Sequence, residues 1–238
     1  MVESLTRGRI AGSDGAHLDP DLRIDAVRRT SGWRPIFGQA GTAQSHLARQ
    51  KVGPGDLFLF FGSFRRAERD GRALRFVRSA PKLHVIFGWL EVGEVRPVTD
   101  MLAREIPWAR RHPHLSAPSR YKSNTLYLAS EHLSSLNLDS RGGGTFARLR
   151  PELILTATDP YHGSATWMLP RWIHPRIHPA ARSPLSYHSR ANRWTDCVTL
   201  VRLQSAYPGQ EFVLDLDEYP EAYDWLRGIF GQSKSTRA

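Results

Sequence analysis

The chain has 238 residues, a hydrophobic fraction of 40% and a formal net charge of +10. Its length allows one large domain or two small ones, and no run reaches the roughly 20 apolar residues of a membrane-spanning helix. A single cysteine, Cys197, excludes an internal disulfide and any multi-cysteine zinc or iron–sulfur site. The positive balance favours anionic partners, a nucleotide or nucleic acid first. Residues 1–15 lack an apolar stretch of signal-peptide type, so a cytoplasmic location without membrane attachment is expected.

Residues 1–16 have no periodicity and read as a flexible leader, 17–231 as a single domain and 232–238 as a flexible tail. His17, Asp19 and Asp21 stand at alternate positions. They fit either metal ligands or an aspartate cap, with Pro20 opening a short helix through Arg29, and the cap is preferred. Thr42 is the expected N-cap of a helix through Gln50. Gln44 falls on its apolar stripe with Leu47 and Ala48, so it needs a buried hydrogen-bond partner or lines a cavity. His46 lies further round the same helix, where it serves packing or catalysis.

Two apolar runs, residues 54–65 and 84–95, are rich in aromatic and branched residues and bounded by glycine. They read as the two central strands of one sheet, with Asp56, Arg65, His84 and Glu94 at their ends. Asp70-Gly71 between them signals a projecting hairpin. Thr99 or Asp100 is expected to cap a helix from Met101 to about Arg111, with His112-Pro113-His114 in the loop that follows. Two histidines two apart resemble metal ligands, but no carboxylate lies close by in sequence. No metal ligand is therefore assigned, and a divalent ion is kept as an alternative. Further strands are expected over 124–129, 152–156 and 209–214. A last amphipathic helix carries Tyr223, Trp225, Leu226, Ile229 and Phe230.

From Pro160 through Thr195 there is no acidic residue. Arg171, Arg176, Arg182, Arg190 and Arg193 alternate there with Tyr161, Trp167, Trp172, Tyr187 and Trp194, and with His162, His174, His178 and His188. Arginine interleaved with aromatics suits phosphate neutralisation and base stacking. The same pattern also fits a proline-rich meander whose tryptophans fill the core. No P-loop, flavin, NAD or iron–sulfur motif is present.

Blocks spread along the chain carry a resemblance. They are 17–21 (His-Leu-Asp-Pro-Asp), 37–39 with 43–47, 55–62 with Phe64-Arg65, and 84–88 with Gly93-Glu94. They continue with His112-Pro113-His114, Asn124-Thr125 with Tyr127, Trp167 with Leu169-Pro170, Ser186-Tyr187-His188, and 209–212. Together they resemble the nucleotide modification associated domain family, type 3. The family's usual opening strand and Ser-Arg-Lys-Gly-Phe-Asp segment have no counterpart in the leader. The resemblance implies a role in a nucleotide or DNA modification system, with other proteins of that system as partners. It carries over no catalytic residue.

The expected fold is α+β: a single domain with a mixed, mostly antiparallel curved sheet or small barrel flanked by a few helices. The strand layout looks like that of PUA, ASCH and EVE barrels. Two functions are weighed. The first is an enzyme acting on a nucleotide or modified base, with Asp19, His46, His84, His188 and Glu211 as candidate acid–base residues. Its ligand contacts would come from Arg65, Gln44, His114, Trp167, Arg171, Arg190, Trp194 and Gln210. His84 and His188 are the first choices for replacement. The second is a non-catalytic reader of modified DNA or RNA bases.

Overall fold

A computed structural model describes residues 1–157, 163–177, 182–206 and 211–231, with Ser119 by its backbone alone. Gln210, Tyr161, His162 and His178 lie outside the described residues. The fold is α+β in a single domain, organised on an antiparallel sheet that curls into a half-barrel. That sheet contains β1 (Ile36–Gln39), β2 (Leu57–Arg65), β5 (Lys82–Pro97), β6 (Thr125–Ala129) and β7 (Gly143–Thr145). Its order is β1-β6-β5-β2, and β7 also pairs with β5. Between β2 and β5 projects the hairpin of β3 (Ala67–Asp70) and β4 (Ala73–Phe76). Asp70 pairs with Ala73 across a two-residue turn in which Gly71 takes φ +58°. This is the hairpin that Asp-Gly announces.

The long strand β5 makes the curl. It pairs with β2 through its first part and with β6 through its last part. The register slips between Phe60 and Phe61 of β2, and again between Val92 and Glu94 of β5. Bulges of this kind bend and twist a strand. Gly93 lets the backbone of Ser130 approach, since a Cβ there would lie 2.8 Å from it.

The half-barrel buries both faces of β1 and β6. On one face Phe37, Tyr127 and Ala129 pack with Leu90, Val92 and with Leu47 of helix α2 (Gly41–Arg49). On the other, Ile36, Leu126 and Leu128 pack under Leu102 of α3 (Leu102–Glu105) and Leu115 of α4 (Pro113–Ser116). Each such fully buried aliphatic side chain contributes roughly 1.5–3 kcal/mol. A second sheet, β8 (Thr166–Pro170), β10 (Leu200–Gln204) and β9 (Trp194–Cys197) in that order, closes the largest core. It joins the first sheet through the segment carrying Ile154 and Thr156, which bridge to Val85 and Trp167. The last helix, α5 (Glu221–Ile229), adds Leu226 and Ile229 to this core, as its spacing predicts.

Several expectations are corrected. Residues 2–6 of the leader form a short helix, α1 (Val2–Thr6). Residues 20–29 form turns, not a helix, because Asp21 exchanges backbone hydrogen bonds with Ile36 at the edge of β1 (2.9 and 3.0 Å). The helix expected over 101–111 stops at Glu105. Pro107 disfavours helical backbone at Ile106, which sits at φ −121°, ψ 66°. Pro113 opens α4 at its first turn instead of standing in a loop, where its missing N–H costs nothing. Helix α2 begins at Gly41 with Ala40 at its N-cap, so Thr42 lies inside it. Pro151 sets a 3-10 turn over 151–153 where a strand was expected. Residues 211–214 form no strand. Val213 bonds both the Ser186 backbone and its hydroxyl (2.9 and 2.8 Å).

Candidate functional site

Strand β1 reads Ile-Phe-Gly-Gln, and its alternation sends Gln39 to the same face as Phe37. The Gln39 amide donates through Nε2 to the Glu211 carboxylate, and its Oε1 accepts from the backbone N–H of Ala40 (2.9 Å). Gln44 reaches in from α2. It is buried, and the Tyr127 hydroxyl donates to its Oε1 at 3.0 Å. This is the partner that a glutamine on the apolar stripe requires. His46, two residues further along the helix, places Nε2 3.1 Å from the Ser186 hydroxyl and packs its ring 4.5 Å from that of Tyr187. Tyr187 has φ +65° and is half exposed.

The electrostatics of this cluster follow from burial. Desolvation raises the Glu211 carboxyl above the usual range, with a backbone hydrogen bond opposing it. Desolvation and the nearby Arg49 charge lower the His46 imidazole, against a backbone contact with Glu211. Tyr127 is raised first by burial, with Glu211 adding to the effect. Each group is held toward its neutral form.

A second cluster sits along β1 at Gly38. Asp19 accepts the Gly38 N–H through Oδ1 (2.9 Å), while Oδ2 lies 3.2 Å from His114 Nε2. Asp19 therefore caps no helix. A Cβ at Gly38 would lie 2.5 Å from His114 Cδ2, so glycine is what allows the histidine to sit against the strand. Asn124 donates through Nδ2 to the His114 carbonyl (3.0 Å) and turns its Oδ1 to His114 Nδ1. Tyr121 stacks on the His114 ring at 4.5 Å, and its hydroxyl is 3.4 Å from His17 Nε2. His112 completes the group, with Nε2 3.5 Å from Asp19 Oδ1. Burial pushes the Asp19 carboxyl up, but the contacts with His112, His114 and the Gly38 N–H together outweigh it and hold the carboxyl below its ordinary value. Among the described residues, His17, Asp19 and His114 are the metal-ligating side chains that converge.

The other predicted residues lie elsewhere. Arg65 spends its guanidinium on the backbone carbonyls of Val77, Arg78 and Ala80 (2.9–3.0 Å). His84 is buried, and its Nδ1 accepts from Trp167 Nε1 at 2.9 Å. His188 is fully buried. Its Nδ1 bonds the Ser186 carbonyl (2.7 Å) and its Nε2 the Ala206 N–H (3.0 Å), so both nitrogens are occupied. Trp167 and Trp194 belong to the largest core, and Trp194 donates to the His188 carbonyl (2.7 Å). Arg171 pairs with Asp196, and Arg190 is exposed. Asp56 accepts the Gly53 N–H (2.8 Å), as a turn residue does, and Glu94 pairs with Arg34 and Arg96.

A groove of about 730 Å³ opens between the end of β2 and the start of β5. It is walled by Phe64, Leu83, Phe146 and Leu149 with Arg66 and Arg148. None of the clustered acid–base groups lines it. Sequence reasoning assigned Asp19, Gln44, His46, His114 and Glu211. It missed Gln39, Tyr121, Asn124, Tyr127 and Ser186 as their partners. Apart from Tyr121, these lie inside the blocks that carry the family resemblance, and that is the signal that points to them.

These features define an α+β protein with a curled antiparallel sheet and two polar clusters built on its edge strand. The profile of the nucleotide modification associated domain 3 family matches residues 1–215, and the chain belongs to that family. No curated protein and no solved structure matches the chain significantly. No helix among the described residues is long and apolar enough to cross a membrane.

Proposed function

We propose that this protein is an enzyme of a nucleotide modification system that acts on a nucleotide or modified base at the Gln39–Glu211 cluster. The observation that carries this reading is the opposite tuning of two adjacent groups, with the Glu211 carboxyl raised and the His46 imidazole lowered. A carboxyl held toward its protonated form beside an imidazole held toward its neutral form suits the paired roles of general acid and general base. Gln39 and Gln44 supply amides of the kind that pair with base edges. Family membership supports the substrate class.

The test is incubation with canonical and modified nucleotides and with modified DNA, followed by mass spectrometry of the products. Turnover falls at least ~100-fold in Glu211→Gln and His46→Gln while the unfolding temperature does not fall. Unchanged turnover in both variants contradicts the assignment. A second reading, a non-catalytic reader of modified DNA or RNA bases, draws support from the half-exposed Tyr187 ring beside His46, a stacking surface for a base. Salt-sensitive nucleic-acid binding with no product favours the reader.

A further inference from the structure

We propose that His17, Asp19 and His114 bind a divalent first-row transition metal ion. The proposal does not depend on the nucleotide reading. One ligand atom from each residue lies within 4.8 Å of the others, so a small shift brings all three to a common ion. Two imidazoles and one carboxylate are a donor set for such metals, and three protein ligands leave further coordination positions open. The exposed His17 puts those positions on the solvent side, whereas Asp19 and His114 each show 6% of their side chains.

Hydrogen-bond bookkeeping points to the same place. Asn124 uses its Nδ2 on the His114 carbonyl, which fixes Oδ1 as the atom facing His114 Nδ1. An amide oxygen only accepts, so Nδ1 carries the hydrogen, and Nε2 of the neutral ring turns its lone pair toward Asp19 Oδ2. Two lone pairs 3.2 Å apart require a cation or a proton between them. Metal-bound histidines are held in this way, with the second nitrogen bonded to a fixed acceptor.

His112 is an independent sign. Its side chain is 1% exposed, and its Nε2 has no hydrogen-bond partner among the described residues. That nitrogen is aimed at Asp19 Oδ1 from within ion-pair range. A buried polar atom left without a bond costs stability and is uncommon in folded proteins. Here it points into the cluster that a bound ion would organise.

The experiment is titration of the full chain, freed of any affinity tag, with Co(II), followed by its visible absorption and by competition with Zn(II). One Co(II) per chain is expected, displaced by zinc. His17→Ala and His114→Ala weaken binding at least ~10-fold, and Asn124→Ala weakens it ~10-fold through the orientation of His114. His132→Ala, at an exposed histidine outside the cluster, leaves it unchanged. Because His17 is exposed, its variant keeps the fold, which thermal unfolding verifies. Absence of stoichiometric cobalt in the wild type overturns the proposal, as does wild-type affinity in His17→Ala and His114→Ala. A cluster held by a proton between His114 and Asp19 gives that result.

Discussion

Strand β1 and the arginine- and tryptophan-rich segment of residues 163–206 use polar residues in opposite ways. The segment has the composition of a ligand-binding surface. Yet Trp167 and Trp194 fill the core, His188 bonds through both nitrogens to backbone, and Arg171 is paired. Strand β1 is four residues of ordinary composition, but it gathers Asp19, His114 and Glu211 from three separate parts of the chain. Residue type in a local window reports the chemistry available. Only tertiary contact decides whether that chemistry is spent on packing or left to act.

The comparison can be broken most sharply at Trp167. The indole packs edge-on to Phe61 (4.9 Å) and donates to His84. Trp167→Ala is expected to cost about 3–5 kcal/mol in urea unfolding. A loss below ~1 kcal/mol would return this tryptophan to a ligand-contact role.

An effect of intermediate size concerns pH. Burial lowers the His188 and His84 imidazoles below the ordinary 6.5. Their contribution to stability is therefore complete above that value and is lost as pH falls through the folded-state pKa values. Glu211 has the opposite sign. Its raised carboxyl favours the fold below the ordinary carboxylate pKa, relative to higher pH, and that advantage is lost as pH rises through the folded value. The unfolding temperature of the wild type thus drops on acidification below pH 6.5. Glu211→Gln removes the loss on the rise out of the carboxylate range. A flat profile in both ranges would refute these environments.

The smallest expected effect is at the exposed pair of Arg171 and Asp196, whose side chains are 43% and 45% exposed. Arg171→Ala is expected to change stability by less than about 0.5 kcal/mol. A larger change in the same unfolding assay would show the pair to be part of the core architecture.

Much of the fold is legible in the sequence because its signals are local. The runs that became β2 and β5, the Asp-Gly hairpin, α2 and α5 all follow from periodicity and turn chemistry. The segments misread as helix or strand are those where one proline or one long-range bond prevails, as at Pro107 and at Asp21 with Ile36. The site was half legible. Asp19, Gln44, His46, His114 and Glu211 stand out as polar residues in apolar surroundings. That Asp19 meets His114 could not be read, because the carboxylate missing from the neighbourhood of His112-Pro113-His114 lies in the chain's opening fifth and arrives only when β1 forms.

The most direct test of the contrast is one titration series. A nucleotide that binds the wild type is measured against Gln39→Ala and Arg171→Ala by calorimetry at fixed salt. The account predicts a loss of about tenfold or more in Gln39→Ala and wild-type affinity in Arg171→Ala. Wild-type affinity in Gln39→Ala with a tenfold loss in Arg171→Ala would place the ligand on the arginine-rich segment and contradict the site at β1.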